Sequence, residues 1–259
     1  MTYSINDKKI ESNRYDKRAE KLLSMQVGLP LSNDILNRFS STPFDLKPSG
    51  KYQEYVRKFA KKKSIVLELG SGTGRFTKAL LDSGAKVVAT DISHKSLEVI
   101  RRRYTKYYNN LVTQVADIEK LPFDNNSFDI VSSSAVLSYG GNIIVMKEIL
   151  RVLKPGGFFI CIDSLNENPI YKLNRWFNYK KGNRSLSTLT NMPTIKLIEE
   201  YKVHFDIVVV KFYGSIIWIY PILKFLIGKT NTVLLINRFD ALIKTYKSGF
   251  KFVAVFRKN

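Results

Sequence analysis

Short apolar runs alternate with amphipathic segments along the middle of the chain. Mostly apolar runs at 65–69, 86–90, 111–115, 128–132 and 158–162 predict strands, the first of them buried. The intervening segments 75–82, 95–104 and 143–153 predict helices, the first ended by Gly84 and the last by the sequence KPGG at 154–157. Strands and helices alternating at this spacing predict a parallel sheet with helices on both faces.

The pattern differs on either side of this region. The first 60 residues are polar, but Tyr15, Ala19, Leu22 and Leu23 recur at helical spacing and predict a short amphipathic helix, followed by a second helix at 52–60. Beyond the middle region, 193–201 predicts a helix, and 205–212 and 250–256 predict two closing strands. We therefore predict an α/β fold: a doubly wound, Rossmann-like, seven-stranded sheet with helical cap insertions.

Two segments interrupt the alternation and are placed where a cap would be inserted. Residues 164–191 are basic and aromatic, residues 213–248 are long and apolar, and each is expected to contain some helix. The apolar part of the second, 216–227, is short and is interrupted by Pro221 and Lys224, so no membrane-spanning helix is expected.

Charge adds an expectation about partners. The chain of 259 residues has a formal net charge of +20, which favours an anionic partner, although a biased genome composition would give the same excess. The single Cys161 excludes an internal disulfide and a multi-cysteine zinc site, lies in an apolar run, and fits a reducing compartment. The charged N-terminus lacks the apolar core of a signal peptide, so we expect a cytoplasmic protein. We also expect no metal centre.

A glycine-rich turn, ELGSGTG at 68–74, follows the first strand and precedes a helix. Glycine lets the backbone turn sharply and lets a ligand approach closely, and the position lies at the carboxyl end of a strand, where α/β sheets bind ligands. Arg75 stands where a dinucleotide fold has its third glycine, which argues against NAD or FAD. No Lys-Ser/Thr pair follows, so the turn is not a P-loop.

Two acidic positions sharpen this prediction. Asp91 ends the second strand, where a carboxylate can accept hydrogen bonds from both ribose hydroxyls. Asp91 could instead cap the next helix, but Ser93 could fill that role. Asp117, with Ile118, follows the third strand and can accept from an exocyclic amine, which fits a clamp on adenine.

Together these residues resemble class I S-adenosylmethionine-dependent methyltransferases of the ubiquinone/menaquinone-biosynthesis type (methyltransferase type 11). The resemblance covers about residues 60–163 through five ordered motifs: ELGSGTG at 68–74, Asp91, ADI at 116–118 with LPF at 121–123, SFD at 127–129, and LRVLKPGG at 150–157. It implies S-adenosyl-L-methionine as cofactor and S-adenosyl-L-homocysteine as product. It also implies an N-terminal helical segment (1–60) that closes over the cofactor, a cofactor-binding core (61–163), and a remainder (164–259) with cap insertions at 164–191 and 213–248.

The resemblance further implies how the cofactor lies. Its methionine part would face Gly70, Ser71 and Gly72, and Glu68 would support that turn. Its ribose and adenine would lie at Asp91, Ile92, Asp117 and Ile118. Ser133 or Ser134 would line its sulfonium end, and Tyr15 would close over the cofactor. Relatives often carry a histidine pair where this chain has Ser138 and Tyr139, so Tyr139 is our candidate catalytic residue. Of the two histidines, His94 is expected beside the cofactor site, whereas His204 is expected to be structural.

Several acceptors stay open. Residues 132–135 read SSSA rather than the Asn/Asp-Pro-Pro-aromatic motif of base-amine methylation, which leaves RNA ribose as the nucleic-acid alternative, supported by charge alone. Aromatics and cations at 171–181, including Arg175, could grip a sugar or phosphate. Residues 216–227, near Lys211, Lys229 and Arg238, resemble an interfacial anchor for an anionic membrane surface, or else a hydrophobic cap or dimer face. We predict O-methylation of a lipid-linked or phosphorylated glycan intermediate or other small molecule at the inner face of the membrane; a prenylated quinone precursor, RNA ribose and a non-catalytic donor-binding scaffold are alternatives.

Overall fold

Seven strands form one mixed sheet in the computed structural model, which describes residues 4–25, 43–182, 185–243 and 248–259. The strands are β1 (Ile65–Leu69), β2 (Lys86–Asp91), β3 (Leu111–Val115), β4 (Phe128–Ser134), β5 (Leu153–Ser164), β6 (Phe205–Tyr213) and β7 (Lys251–Lys258). Their order is β3-β2-β1-β4-β5-β7-β6; the first five strands are parallel, and β7 is antiparallel to both neighbours. This confirms the predicted doubly wound, seven-stranded α/β fold and places the switch in strand order between β1 and β4.

Nine helices accompany the sheet in the described ranges. They are α1 (Ile5–Met25), α2 (Leu46–Phe59), α3 (Thr77–Leu81), α4 (His94–Arg103), α5 (Asn142–Val152), α6 (Pro169–Lys180), α7 (Leu186–Thr190), α8 (Ile195–Tyr201) and α9 (Tyr220–Leu242). The predicted alternation in the middle of the chain is therefore present, with boundaries that shift by a few residues. The exception is β5, which begins at Leu153 rather than at 158. Leu153 pairs with Phe128, and after an irregularity in the register the pairing continues from Phe158 with Ile130.

The core lies on both faces of the sheet because successive strand residues point to opposite sides. In β1, Val66 belongs to one buried cluster and Leu67 to the other. Cys161 is fully buried in the same cluster as Leu67, and burial raises the pKa of its thiol well above the usual value. It lies, as expected, among apolar side chains.

The N-terminal region is more helical than its sequence pattern predicts. The first helix has 21 residues instead of a short span. It packs on α4 through Ala19 and Leu22, which meet Val99. The second helix begins at Leu46, and Pro48 lies in its first turn, where a missing backbone N–H costs no helical hydrogen bond.

Both cap insertions contain helices, as expected. The first holds α6 and α7, and the second holds α9. The helix in the second insertion is longer than the apolar run 216–227 indicates: Ile217–Asp240 has the length and apolarity of a membrane-spanning helix, and 11% of its most apolar window is buried. Pro221 lies at the start of α9, where proline is tolerated, so it does not end the helix. Gly228 interrupts the helix with a φ of 77°.

Candidate active site

A cavity of about 390 Å³ opens at the carboxyl ends of β1, β2 and β4, underneath α1. This is the position at which doubly wound sheets bind ligands. All but one of the predicted site residues line it: Tyr15, Glu68, Gly70, Ser71, Gly72, Asp91, Ile92, Asp117, Ile118, Ser134 and Tyr139.

Ser133 is the exception. The sequence left Ser133 and Ser134 as alternatives for the sulfonium end, and only Ser134 reaches the cavity. Ser133 is fully buried inside β4, paired with Leu69 and Cys161 on the neighbouring strands. Since neighbouring strand residues face opposite sides of a sheet, only one of the two serines could line the cavity.

The glycine turn after β1 is held in a backbone conformation that suits glycine. Gly70 and Gly72 have φ values of +56° and +53°. A Cβ on Gly70 would collide with the side chain of Val136, whereas a Cβ on Gly72 would meet open space. Gly72 therefore leaves room for a ligand to approach the backbone, and Ser71 fixes the turn by donating its N–H to the Thr90 carbonyl at 2.8 Å.

Asp91 connects this turn to the next helix. Its Oδ2 accepts the Gly72 N–H at 2.8 Å, and its Oδ1 accepts the Ser93 N–H at 2.8 Å. Burial raises the pKa of Asp91 to about 6, against the opposing effect of these hydrogen bonds. Ser93, and not Asp91, caps α4 by accepting the Ser96 N–H at 3.0 Å, so the Asp91 carboxylate is available to the cavity.

Glu68 supports the turn from below. Its carboxyl is almost fully buried and accepts a hydrogen bond from the Thr77 hydroxyl at 2.6 Å. Burial, and then the nearby Asp91 charge, raises the pKa of Glu68 to about 8. The group is thus largely protonated at neutral pH, which limits repulsion between two acids at the same turn.

Asp117 and Ile118 form the other end of the cavity. Asp117 Oδ1 accepts the Glu119 N–H at 2.9 Å, and its Oδ2 lies 2.6 Å from Lys8 Nζ on α1. Lys8 also forms an ion pair with Glu119. This end of the cavity is therefore bridged to the N-terminal helix by charge.

A second contact fastens α1 over the cavity. Asp16 Oδ1 accepts a hydrogen bond from the Ser93 hydroxyl at 2.6 Å, close to the helix start beside Asp91. The neighbouring Tyr15 is directed inward, where burial and the adjacent Tyr139 raise its pKa. Tyr15 and Asp16 thus dock the helix onto the face of the site, and the closing of Tyr15 over a bound cofactor stays a prediction.

Tyr139 lines the cavity from a short 3₁₀ turn after β4, Leu137–Tyr139. Its hydroxyl accepts a hydrogen bond from Arg14 Nη2 at 2.9 Å and lies 3.2 Å from the Tyr15 hydroxyl. Arg14 also forms a 2.6 Å ion pair with the buried Glu11. The candidate catalytic tyrosine is therefore held by side chains from α1.

The turn that carries Tyr139 is anchored to the sheet. Leu137 donates its N–H to Asp163 Oδ2 at 3.0 Å, at the carboxyl end of β5. Asp163 is buried, which raises its pKa to about 6. The helix α7 packs against the same turn from outside, so the first cap insertion borders this side of the cavity.

Several lining residues were missed by the sequence interpretation. Lys8, Glu11, Arg18 and Leu22 line the cavity together with Tyr15. Their spacing places them on one helical face, a signal that would have identified them had the first helix been extended towards the N-terminus. Neither histidine lines the cavity: His94 begins α4 with an exposed side chain, and His204 is exposed before β6.

The expected phosphate- or sugar-gripping role of Arg175 is wrong. Its side chain is 6% exposed, and its guanidinium donates to the Leu165 carbonyl at 2.8 Å and to Asn166 Oδ1 at 2.9 Å. It also lies over the Phe250 ring. Arg175 therefore holds α6 against the sheet instead of facing a substrate.

Comparison with known proteins agrees with this geometry. Residues 67–161 match the methyltransferase domain family. The chain is 43% identical over 114 residues to a demethylmenaquinone methyltransferase of Clavibacter sepedonicus, which covers 41% of this chain and 44% of the relative. The chain thus spans less than half of that relative's length.

Two solved structures share the fold. One is geranyl diphosphate C-methyltransferase from Streptomyces coelicolor A3(2) in complex with S-adenosyl-L-homocysteine, with TM-score 0.58, 13% identity, and coverage of 81% of this chain and 78% of that one. The other is the cyclase SpnF, with TM-score 0.56, 17% identity, and coverage of 80% of each chain. At these identities the likeness concerns the fold alone, and a cyclase among them illustrates that function depends on the site.

Proposed function

We propose that residues 67–161, which match the methyltransferase domain family, bind S-adenosylmethionine as cofactor, and that the whole protein transfers the methyl group of this cofactor to a lipid-borne small molecule. One observation carries the proposal. The open approach at Gly72, the Asp91 carboxylate and the Asp117 carboxylate lie along one cavity, in the order that methionine, ribose and adenine require.

The residues of this chain bind and orient the reactants. When bound, S-adenosylmethionine supplies an activated methyl group on a sulfonium. Asp91 accepts hydroxyl hydrogen bonds, and the helix α1 covers the site through Asp16 and Tyr15, which excludes water from the cavity. Aligning an acceptor behind the methyl group supplies much of the rate by itself, so catalysis does not require a histidine.

Tyr139 positions the acceptor. Arg14 and Tyr15 both donate to its hydroxyl oxygen, which fixes the phenol and leaves its own proton for an acceptor in the cavity. A nucleophilic oxygen or ring carbon held at this hydroxyl would face the Ser134 end of β4, where the sulfonium is expected. Tyr139 therefore acts as a hydrogen-bonding residue on the acceptor side of the reaction.

A prenylated ring is the acceptor that we favour, and a lipid-linked glycan intermediate is the second candidate. The name of the relative from Clavibacter sepedonicus supports a quinone precursor. The burial of Arg175 removes a main support for a phosphorylated sugar. Both candidates are borne by lipid, which fits the exposed apolar side chains on α6, the helix that leads to α7 beside Tyr139.

The test is transfer of labelled methyl from S-adenosylmethionine to a cell extract, followed by fractionation. We expect label in lipid that mild acid leaves in the organic phase. Label that mild acid releases into water would identify a lipid-linked glycan instead, and label in RNA would identify ribose methylation. Tight binding of S-adenosylhomocysteine without transfer to any fraction would overturn the proposed activity and indicate a scaffold. The Asp91→Asn variant, with its weakened cofactor binding, serves as the control at a cofactor concentration that saturates only the wild type.

A further inference from the structure

The first half of α9 presents large apolar side chains to solvent. Ile222 is 59% exposed, Phe225 90% and Leu226 66%. Their spacing of three and four residues places them on one face of the helix. Soluble proteins rarely expose a contiguous apolar patch of this kind unless it binds something.

The second half of α9 packs against the rest of the protein on one face and exposes apolar side chains on the other. Thr232 and Ile236 are buried, and Asp240 accepts the Gly214 N–H at 2.7 Å. The side chains on the opposite face, Leu234 (64% exposed) and Leu242 (72% exposed), point away from the body. The helix is thus held by one face, while its other face stays apolar and accessible.

The helix α6 extends this surface. The Trp218 N–H, just before α9, donates to the Tyr171 hydroxyl of α6 at 3.2 Å, so the two segments lie side by side. Tyr171 faces inward, whereas Leu173, Trp176 and Phe177 on α6 are 44–54% exposed. We refer to the exposed side chains of α6, Trp218 and α9 as the apolar surface.

The charged side chains around the apolar surface are almost all cations. Lys172 and Lys180 on α6, and Lys224, Lys229 and Arg238 on α9, are exposed. Within these two helices Asp240 is the sole acid, and its carboxylate is engaged by backbone N–H groups of Gly214 and Ser215. An apolar face bordered by lysine and arginine is complementary to an anionic lipid bilayer, because the cations reach headgroups while the apolar side chains enter the acyl region.

We propose that the apolar surface docks on anionic membranes, with α6 and α9 lying in the interface plane. The interruption at Gly228, flanked by Lys224 and Lys229, divides the apolar helix and places charge at its centre, which favours lying on the bilayer over crossing it. Trp176 and Trp218, at 44% and 40% exposure, have the amphipathic rings that partition to the headgroup level. This inference concerns binding alone and does not depend on the methyl transfer proposed above.

The intrinsic fluorescence of the unmodified protein tests this directly. The chain has two tryptophans, Trp176 and Trp218, and both belong to the apolar surface. With vesicles of phosphatidylcholine and phosphatidylglycerol at low salt, we expect a blue shift, protection from acrylamide quenching, and co-sedimentation that weakens as salt is raised. Unchanged fluorescence and no sedimentation would overturn the proposal.

Variants identify the surface. The pair Phe225→Ser and Leu226→Ser should weaken vesicle binding about tenfold or more, because two large side chains no longer enter the bilayer. The pair Tyr108→Ser and Val112→Ser, which removes exposed apolar side chains near the β3 edge, should leave binding unchanged. The pair Lys224→Glu and Lys229→Glu should also weaken binding, whereas Lys61→Glu with Lys62→Glu, at exposed positions before β1, should have a smaller effect.

Three other results would contradict the proposal. Equal binding by the Phe225 and Leu226 variant would place the contact elsewhere. Resistance of bound protein to alkaline carbonate extraction would indicate a spanning helix instead of an interfacial one. A stable dimer in solution that the same variant dissociates, without vesicle binding, would assign the apolar surface to self-association.

Discussion

Lys8 Nζ on α1 lies 2.6 Å from Asp117 Oδ2, and this ion pair bridges the N-terminal helix to the end of the cavity assigned to adenine. The side chains are 21% and 33% exposed, so solvent screens the pair only in part. The contact connects the closure of α1 with the residue that is expected to bind the cofactor.

Removing this ion pair should weaken the packing of α1 over the cavity. We expect Lys8→Met to speed the dissociation of S-adenosylhomocysteine about two- to fivefold, because a partly exposed ion pair contributes modestly. Stopped-flow displacement measures the rate. Lys51→Met, which removes an ion pair with Glu54 on α2, is the matched control and should leave dissociation unchanged. Equal dissociation rates for the Lys8→Met and Lys51→Met variants would show that Lys8 does not hold α1 over the cavity.

Asp91→Asn should reduce the affinity for S-adenosylhomocysteine about 10- to 100-fold. An amide has one oxygen, so it cannot accept from both Gly72 and Ser93 as the carboxylate does, and it lacks the charge that strengthens hydrogen bonds from ribose. Isothermal titration calorimetry measures the change. Asp124→Asn, at an exposed position, is the matched control, and retained affinity in Asp91→Asn would refute the ribose assignment.

The same carboxylate should make binding depend on pH. Burial raises the pKa of Asp91 to about 6, so the contribution of Asp91 to folding is largest below its ordinary pKa and is lost as pH rises through about 6. Cofactor binding should behave oppositely, because it uses the charged form: affinity should fall as pH drops below about 6. Titrations between about pH 5 and about pH 8 should show this loss in the wild type and not in Asp91→Asn.

Two glycines two positions apart should respond differently to alanine. Gly70→Ala should destabilise the protein strongly, because its Cβ would collide with Val136. Gly72→Ala should lower the free energy of unfolding by only about 1 kcal/mol, since its positive φ is strained but the space is open. The Gly72 variant should nevertheless lose cofactor affinity, because the new methyl group occupies the approach to the turn. Thermal denaturation combined with calorimetry separates the two effects; a folded Gly72→Ala protein with full affinity would contradict this geometry.

Tyr139→Phe should lower the rate of methyl transfer about tenfold or more while leaving the affinity for S-adenosylhomocysteine within about twofold. The hydroxyl contacts Arg14 and Tyr15 rather than Asp91 or Asp117, so its loss should affect the acceptor and not the cofactor. Single-turnover transfer to the extract fraction identified above measures the rate. Tyr108→Phe, at an exposed position, is the control, and an equal loss of cofactor affinity in Tyr139→Phe would reassign the residue to cofactor binding.

The sequence predicts the sheet and most of the residues that line the cavity at its edge because both depend on local patterns. Strands of five to seven residues leave short, mostly apolar runs, and Gly70, Gly72, Asp91 and Asp117 lie at the end of such a strand or within three residues of it. The position of a residue at a strand end is enough to bring it to the cavity, since parallel strands end at one edge.

Other features depend on contacts between distant parts of the chain. The choice between Ser133 and Ser134 follows from the facing of one strand, and the role of Arg175 follows from carbonyl and amide oxygens at 165 and 166 that close around it. Lys8 and Glu11 look like ordinary surface charges in a polar segment, and they become site residues only because α1 folds across the sheet. A local pattern shows that Lys8 and Glu11 share a helical face with Tyr15, but not which surface that face packs on.

The two sides of the cavity come from different stretches of the chain. The carboxylates and the glycine turn that we assign to the cofactor lie within residues 67–161. Arg14, Tyr15 and α7, which surround Tyr139, lie outside that range. The turn that contains Tyr139 is anchored to β5 by the hydrogen bond from the Leu137 N–H to Asp163. Changes confined to Arg14 and the first cap insertion can therefore adapt the acceptor side to a new substrate while the glycine turn and its carboxylates stay unaltered.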